Sequence, residues 1–82
     1  MQVKLKLFAS LARYLPDGSE RNVARLDIAE GTTIWSLLDA HNVPRGSCHL
    51  VLVNGIYQGP EARYNALKEG DELAVWPPVA GG

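Results

Sequence analysis

The chain has 82 residues, of which 46% are apolar and 21% charged, with a formal net charge of −1. A chain this short makes one domain that buries only about 60–65% of its unfolded surface, which leaves little room for an enclosed active site. Its lysines and arginines are spread along the sequence, which argues against nucleic-acid binding, and the lone Cys48 excludes an intrachain disulfide. With neither a signal-peptide pattern nor an apolar run long enough to cross a bilayer, the expectation is a cytoplasmic protein without a membrane partner.

The first element, QVKLKLF, alternates: Val3, Leu5 and Leu7 point one way, and Lys4, Lys6 and Phe8 the other. This is a strand with one face on a core. ASLARYLPDG then sets Leu11 and Leu15 four apart with Tyr14 beside them, and Pro16-Asp17-Gly18 stops the run, so a short helix and a turn are expected. ARLDIAEG alternates again, with Ala24, Leu26 and Ile28 opposed to Arg25 and Asp27, and reads as a second strand ending at Glu30-Gly31. TTIWSLLDAHNV carries Ile34, Leu37, Leu38 and His41 at helical spacing. Thr32 or Thr33 serves as its N-cap and Asn42 suits a left-handed C-terminal position, so this is the main helix.

HLVLVNG is a continuous apolar run and reads as an interior strand contacted on both faces, with Asn54-Gly55 as a hairpin turn and IYQG as a short return. PEARYNALKEGD is a connection with one helical turn expected at Tyr64 to Leu67, and ELAVW is the last strand, ended by Pro77 and Pro78 because neither donates to a ladder. One mixed sheet of about five strands with one main helix across it is the economical arrangement, an α+β fold. Residues 1–76 form the domain and 77–82 an extended tail.

Side-chain chemistry is sparse. Cys48 and His49, with His41 as a third group, fall short of the usual four metal ligands, so no metal is expected. Cys48 reads as a plain loop cysteine, His41 as a partly buried helix residue, and Trp35, off the apolar stripe, as a cover for the helix edge. Glu69, Asp71 and Glu72 read as a solvated acidic turn rather than an acid–base pair. No glycine-rich nucleotide loop or nucleophile elbow is present.

The chain ends VWPPVAGG. Taken alone, two terminal glycines mark a frayed end. Here they follow an arrangement that begins KLKLFASLARYL, has LVLVNG in the middle and LKEGDELAV before the last strand, and closes on PPVAGG. From end to end this resembles the MoaD/ThiS ubiquitin-like sulfur carriers, whose fold is the β-grasp. The Pro-Pro before VAGG is similar to the small subunit of molybdopterin synthase, while carriers of the ThiS type usually have other residues there.

The resemblance implies a non-catalytic carrier subunit of a sulfurtransferase, with no cofactor of its own. An adenylating enzyme related to ubiquitin activators would use ATP to activate the Gly82 carboxylate, and a sulfur donor protein would convert it to a thiocarboxylate. The molybdopterin synthase large subunit would then receive that end, with sulfur going to molybdenum cofactor synthesis. Other outlets for the same chemistry are thiazole (thiamine), cysteine, thiolated-tRNA and tungsten-cofactor synthesis. A ubiquitin-like protein modifier needs the same free end, whereas a plain β-grasp interaction module does not.

Gly81 and Gly82 lack a Cβ and suit a narrow channel. Pro77 and Pro78 favour an extended course that lowers the entropy lost on insertion, and Val79 and Ala80 are small apolar contacts, with mobility expected from Val79 onward. Strand parity puts Phe8 on the outer face with Lys4 and Lys6, and Trp76 on it with Glu72 and Ala74. In a β-grasp the first and last strands are neighbours, so Phe8 and Trp76 are expected to be exposed close together, as a partner anchor rather than as caps on the core. Tyr57 either extends that patch or only shields its turn.

Overall fold

The computed structural model describes residues 1–79. Ala80, Gly81 and Gly82, on which the tail chemistry and most of the expected mobility fall, lie outside the described residues. In chain order the elements are β1 (Gln2–Leu7), a 3-10 helix (Ala9–Tyr14), β2 (Val23–Asp27), α1 (Ile34–Ala40), a 3-10 turn (Arg45–Ser47), β3 (Leu50–Val53), β4 (Ile56–Tyr57), a 3-10 turn (Ala62–Tyr64) and β5 (Glu72–Trp76). The five strands form one sheet in the order β2-β1-β5-β3-β4. β1 and β5 run parallel at its centre, and every other pair is antiparallel.

The alternation in β1 and β5 divides the sheet's two faces. Val3, Leu5 and Leu7 are buried on one side with Leu73 and Val75 of β5 and Val51 of β3. Against them α1 sets Ile34, Leu37 and Leu38, and Leu11, Val43 and Leu67 close the margins. Each such aliphatic burial contributes about 1.5–3 kcal/mol.

α1 starts where Thr33 accepts a hydrogen bond from the Ser36 backbone N–H (3.0 Å) and its own N–H donates to the Ser36 hydroxyl (2.8 Å). This reciprocal box satisfies two donors that the first turn leaves free. The helix stops at His41 because Asn42 takes φ 63°, the left-handed conformation expected of it. The β3–β4 turn has φ 52° at Asn54 and 83° at Gly55, the two positive angles that a tight hairpin demands.

Four details differ from the sequence reading. The segment after β1 is a 3-10 helix rather than an α-helix: its N-cap, Phe8, supplies no side-chain capping bond, and Pro16 lies too close for propagation. Trp35 is not an edge cover but is 7% exposed within the core, because the guanidinium groups of Arg45 and Arg63 lie over its ring at 4.9 and 5.4 Å. β3 is interior, yet only Val51 is fully buried, while Leu50 and Leu52 face the open side. The helical turn in the β4–β5 connection sits at Ala62–Tyr64, ahead of Tyr64–Leu67.

Candidate functional site

Among the described residues, no helix or strand covers the face of the sheet opposite α1, and the register lays its side chains out in rows. Lys6 is level with Ala74, Ala74 with Leu52, and Leu52 with Tyr57, across β1, β5, β3 and β4. Ala74 is nearly covered by its neighbours and makes a low floor between Lys6 and Leu52. One row further along, Trp76 is level with Leu50. Phe8, the residue after β1, donates its N–H to Val75 O at 3.2 Å, which carries the β1–β5 ladder on to this point.

Phe8 and Trp76 meet there as parity expects, but they lie flat on one another: the ring centroids are 4.3 Å apart and the planes 7° from parallel. Each ring hides part of the other, so both are half-buried instead of exposed. Such a stack contributes about 0.5–1.5 kcal/mol and presents the two rings as one apolar surface. Tyr57 is 57% exposed at the far side of the patch. Together Phe8, Trp76, Leu50, Leu52 and Tyr57 give the open face an apolar centre.

The tail leaves from the same corner. β5 is held by β1 on one side and β3 on the other, and its last residue, Trp76, still accepts a hydrogen bond from the His49 N–H at 3.0 Å. Pro77 has no N–H to continue the ladder. Pro77 is half-buried, Pro78 is exposed and Val79 is 80% exposed, so the chain gains exposure within three residues of the aromatic stack. Among the tail residues named from the sequence, these three are placed, and Ala80, Gly81 and Gly82 lie outside the described residues.

Charge frames this face. The Lys6 ammonium pairs with the Glu72 carboxylate. Its hydrogen bond, with the positive charges of Lys6 and Lys4, holds Glu72 below the ordinary carboxylate value. Glu69 and Asp71 do more than solvate the turn: Glu69 accepts from the Gln2 N–H (3.1 and 3.2 Å), and Asp71 accepts from the Lys68 N–H (2.7 Å) and the Asn54 side-chain amide (2.8 Å). Both therefore fasten the approach to β5.

The remaining candidates have structural surroundings. Cys48 is buried in the core beside Pro44 O (3.5 Å), and burial pushes its thiol pKa up, away from the reactive thiolate. His41 caps α1, and His49 is exposed on the way into β3. Among the described residues no cluster of three or more His, Cys, Asp or Glu is placed to hold a metal ion, and no helix is long and apolar enough to cross a membrane.

Arg63 is the residue the sequence reading missed. Only 6% exposed, it donates to Gln58 O (3.0 Å), Cys48 O (3.0 Å) and His49 O (3.3 Å), joining the entry of β3 to the exit of β4 beneath Trp35. An arginine in an otherwise polar connection gives no sequence signal of this; only the carbonyls that fold around it do.

The mixed sheet with one helix across it is the ubiquitin-like β-grasp. The ThiS family model matches residues 5–82, and the chain belongs to that family, with the fold shared by ThiS and MoaD sulfur carriers. Among solved structures it is similar to SAMP1 from Haloferax volcanii, at 30% identity over 100% of both chains with a TM-score of 0.68. It is also similar to small archaeal modifier protein 1 from Methanosarcina acetivorans, at 27% identity over 99% of this chain and 96% of that one, with a TM-score of 0.60. Subunits 1 and 2 of molybdopterin-converting factor from Helicobacter pylori form a protein–protein complex whose matching chain shares 18% identity over 100% of both chains, with a TM-score of 0.61, a likeness of fold alone. No curated protein matches the sequence.

Proposed function

We propose that this protein is a sulfur carrier whose Gly82 carboxylate is adenylated and then converted to a thiocarboxylate, which donates sulfur in molybdenum cofactor synthesis. One observation carries the reading. The central strand β5 ends at Trp76 beside the Phe8 stack, Pro78 and Val79 beyond it are exposed, and the family match runs through Gly82.

A free carboxylate resists sulfur nucleophiles because it has no leaving group. Attack of its oxygen on the α-phosphorus of ATP releases pyrophosphate and makes an acyl-adenylate. The terminal sulfur of a donor persulfide then adds at the carbonyl carbon and expels AMP, leaving an acyl disulfide. A thiolate that attacks the donor's sulfur breaks the S–S bond, forms a disulfide with the donor and frees the thiocarboxylate. The activation and the sulfur transfer belong to other proteins. The carrier contributes presentation: a base fixed by two ladders, a stiff Pro77-Pro78 segment, and two glycines narrow enough for a deep channel. The Phe8/Trp76 patch lies at the root of the tail, so a partner seated on it receives the tail in a defined direction. The adenylating enzyme and the molybdopterin synthase large subunit would use the same face in turn and exclude one another.

The molybdopterin outlet is favoured by Pro77-Pro78. A second reading, a protein modifier joined through Gly82 to lysines of other proteins, is favoured by the 30% identity to SAMP1 over the whole of both chains. The two separate in one experiment. Co-purification with a large subunit that denaturant dissolves supports the carrier, and adducts on other proteins that survive denaturation support the modifier. A C-terminal tag that blocks Gly82 should abolish sulfur transfer and leave the fold intact; transfer that persists in the tagged chain overturns the mechanism.

A further inference from the structure

The β1–β2 side of the open face gathers more cations than its carboxylates pair. Lys4 and Arg25 are direct partners in the β1–β2 register, so two cations stand opposite one another on one face. Like charges so placed destabilise a strand pair, and the carboxylate across the other edge of Lys4, Glu72, is already paired with Lys6. Beside them, Arg21 (φ 49°) and Asn22 (φ 67°) form the two-residue turn that Glu20 and Val23 close with reciprocal backbone hydrogen bonds of 3.1 and 2.9 Å, and this turn sets Arg21 just ahead of β2. Lys4, Lys6, Arg21 and Arg25, with Gly18, Glu20 and Val23, line an open basin of about 580 Å³. Lys6 is engaged with Glu72, whereas Lys4, Arg21 and Arg25 form no salt bridge among the described residues. Basic residues dispersed in the sequence are thus gathered by the β1–β2 register and the loop before β2.

We propose that this basin is a recognition site for an acidic, extended segment of the protein that docks on the open face. The basin adjoins the apolar patch, because Lys6 stands in the same row as Ala74, Leu52 and Tyr57. A partner covering Phe8 and Trp76 therefore reaches Lys6 and Lys4 without leaving the sheet. In an extended segment, acidic residues at alternate positions repeat at about 6.7 Å, the same repeat that separates Lys4 from Lys6 along β1. The basin is open rather than enclosed, as a strand of another protein needs and a small ligand does not. Glu20 and Glu72 stand among the cations, and no aromatic side chain lines the basin for a base to stack on, so a polynucleotide fits it less well. Charges at the rim of an interface act chiefly on the encounter rate and on orientation, so the basin would set how a partner approaches the tail.

That the occupant belongs to the docking partner rests on the proposed function; the preference of the basin for polycarboxylate does not. The test is amide NMR of the labelled protein at low salt, titrated in parallel with hexaglutamate, pyrophosphate and a hexauridylate oligonucleotide. Saturable shifts with hexaglutamate are expected at Lys4, Lys6, Arg21, Val23 and Arg25. The charge reversal Arg21→Glu with Arg25→Glu should weaken binding by about tenfold or more, Arg25→Gln by less, and Lys68→Glu, outside the basin, not at all. Shifts that are absent or centred elsewhere overturn the proposal, as does tighter binding of pyrophosphate or hexauridylate than of hexaglutamate. The same spectra report whether each variant is folded. Hexaglutamate binding by a chain that never acquires sulfur would retain the basin and discard the carrier reading, and the reverse pair of results would do the opposite.

Discussion

Trp76 serves two ends at once: its backbone closes the β3–β5 ladder and its ring is half of the stack that marks the tail exit. Removing the ring leaves the backbone bonds in place. Trp76→Ala should therefore cost the fold only about 1–2 kcal/mol, and the affinity for the purified adenylating enzyme at least about tenfold. Urea unfolding and calorimetric titration of the same preparation measure both, and an unchanged affinity would remove this patch from the docking face. Arg63 is the opposite case, an arginine whose work is internal. Arg63→Ala leaves the carbonyls of Cys48, His49 and Gln58 without their donor and should destabilise by about 2–4 kcal/mol. Arg63→Lys should recover little of that loss, because a single ammonium does not match a fork that spans three carbonyls. Denaturant midpoints decide the matter.

At the scale of elements, β5 is central to the account, and its first residue gives it a pH signature. Glu72 is held below its ordinary value of 4.5 chiefly by the Lys6 hydrogen bond, so its stabilising contribution is complete above that value and fades as pH falls through the lower folded value. The stability difference between wild type and Glu72→Gln should thus be present at neutral pH and vanish in acid, and it should be small because the pair is open to solvent. Thermal melts across that range check it; a difference that grows on acidification contradicts the pairing. Elements whose signals are local were legible in the sequence. The period of two in Val3, Leu5 and Leu7 gave β1, the Thr33 cap and left-handed Asn42 gave the bounds of α1, and Asn54-Gly55 gave the hairpin. Where the environment is assembled from distant segments, legibility ended. Trp35 is buried by guanidinium groups from residues 45 and 63, and helical periodicity counts only apolar neighbours. The run LVLV implied burial on both faces, whereas Leu50 and Leu52 lie on the face opposite α1, which no other described element covers. The basic basin follows the same rule, since Lys4 and Arg25 become neighbours only through strand register.

For the whole molecule, the sheet separates two kinds of surface. One face holds α1 and the entire hydrophobic core; the other holds an apolar centre, a basic flank and the exit of the tail. Under the proposed function, the chemistry falls at the end of the chain that follows β5 and the recognition on the open face. On that same proposal, the Gly82 carboxylate acquires sulfur. The most direct measurement is the intact mass of the untagged protein after incubation with its adenylating enzyme, ATP, a persulfide donor and a thiol reductant. A mass gain equal to the exchange of one oxygen for sulfur, lost when Gly82 is deleted, is the expected result. An unchanged mass, with an enzyme shown to form an adenylate on this chain, would contradict it.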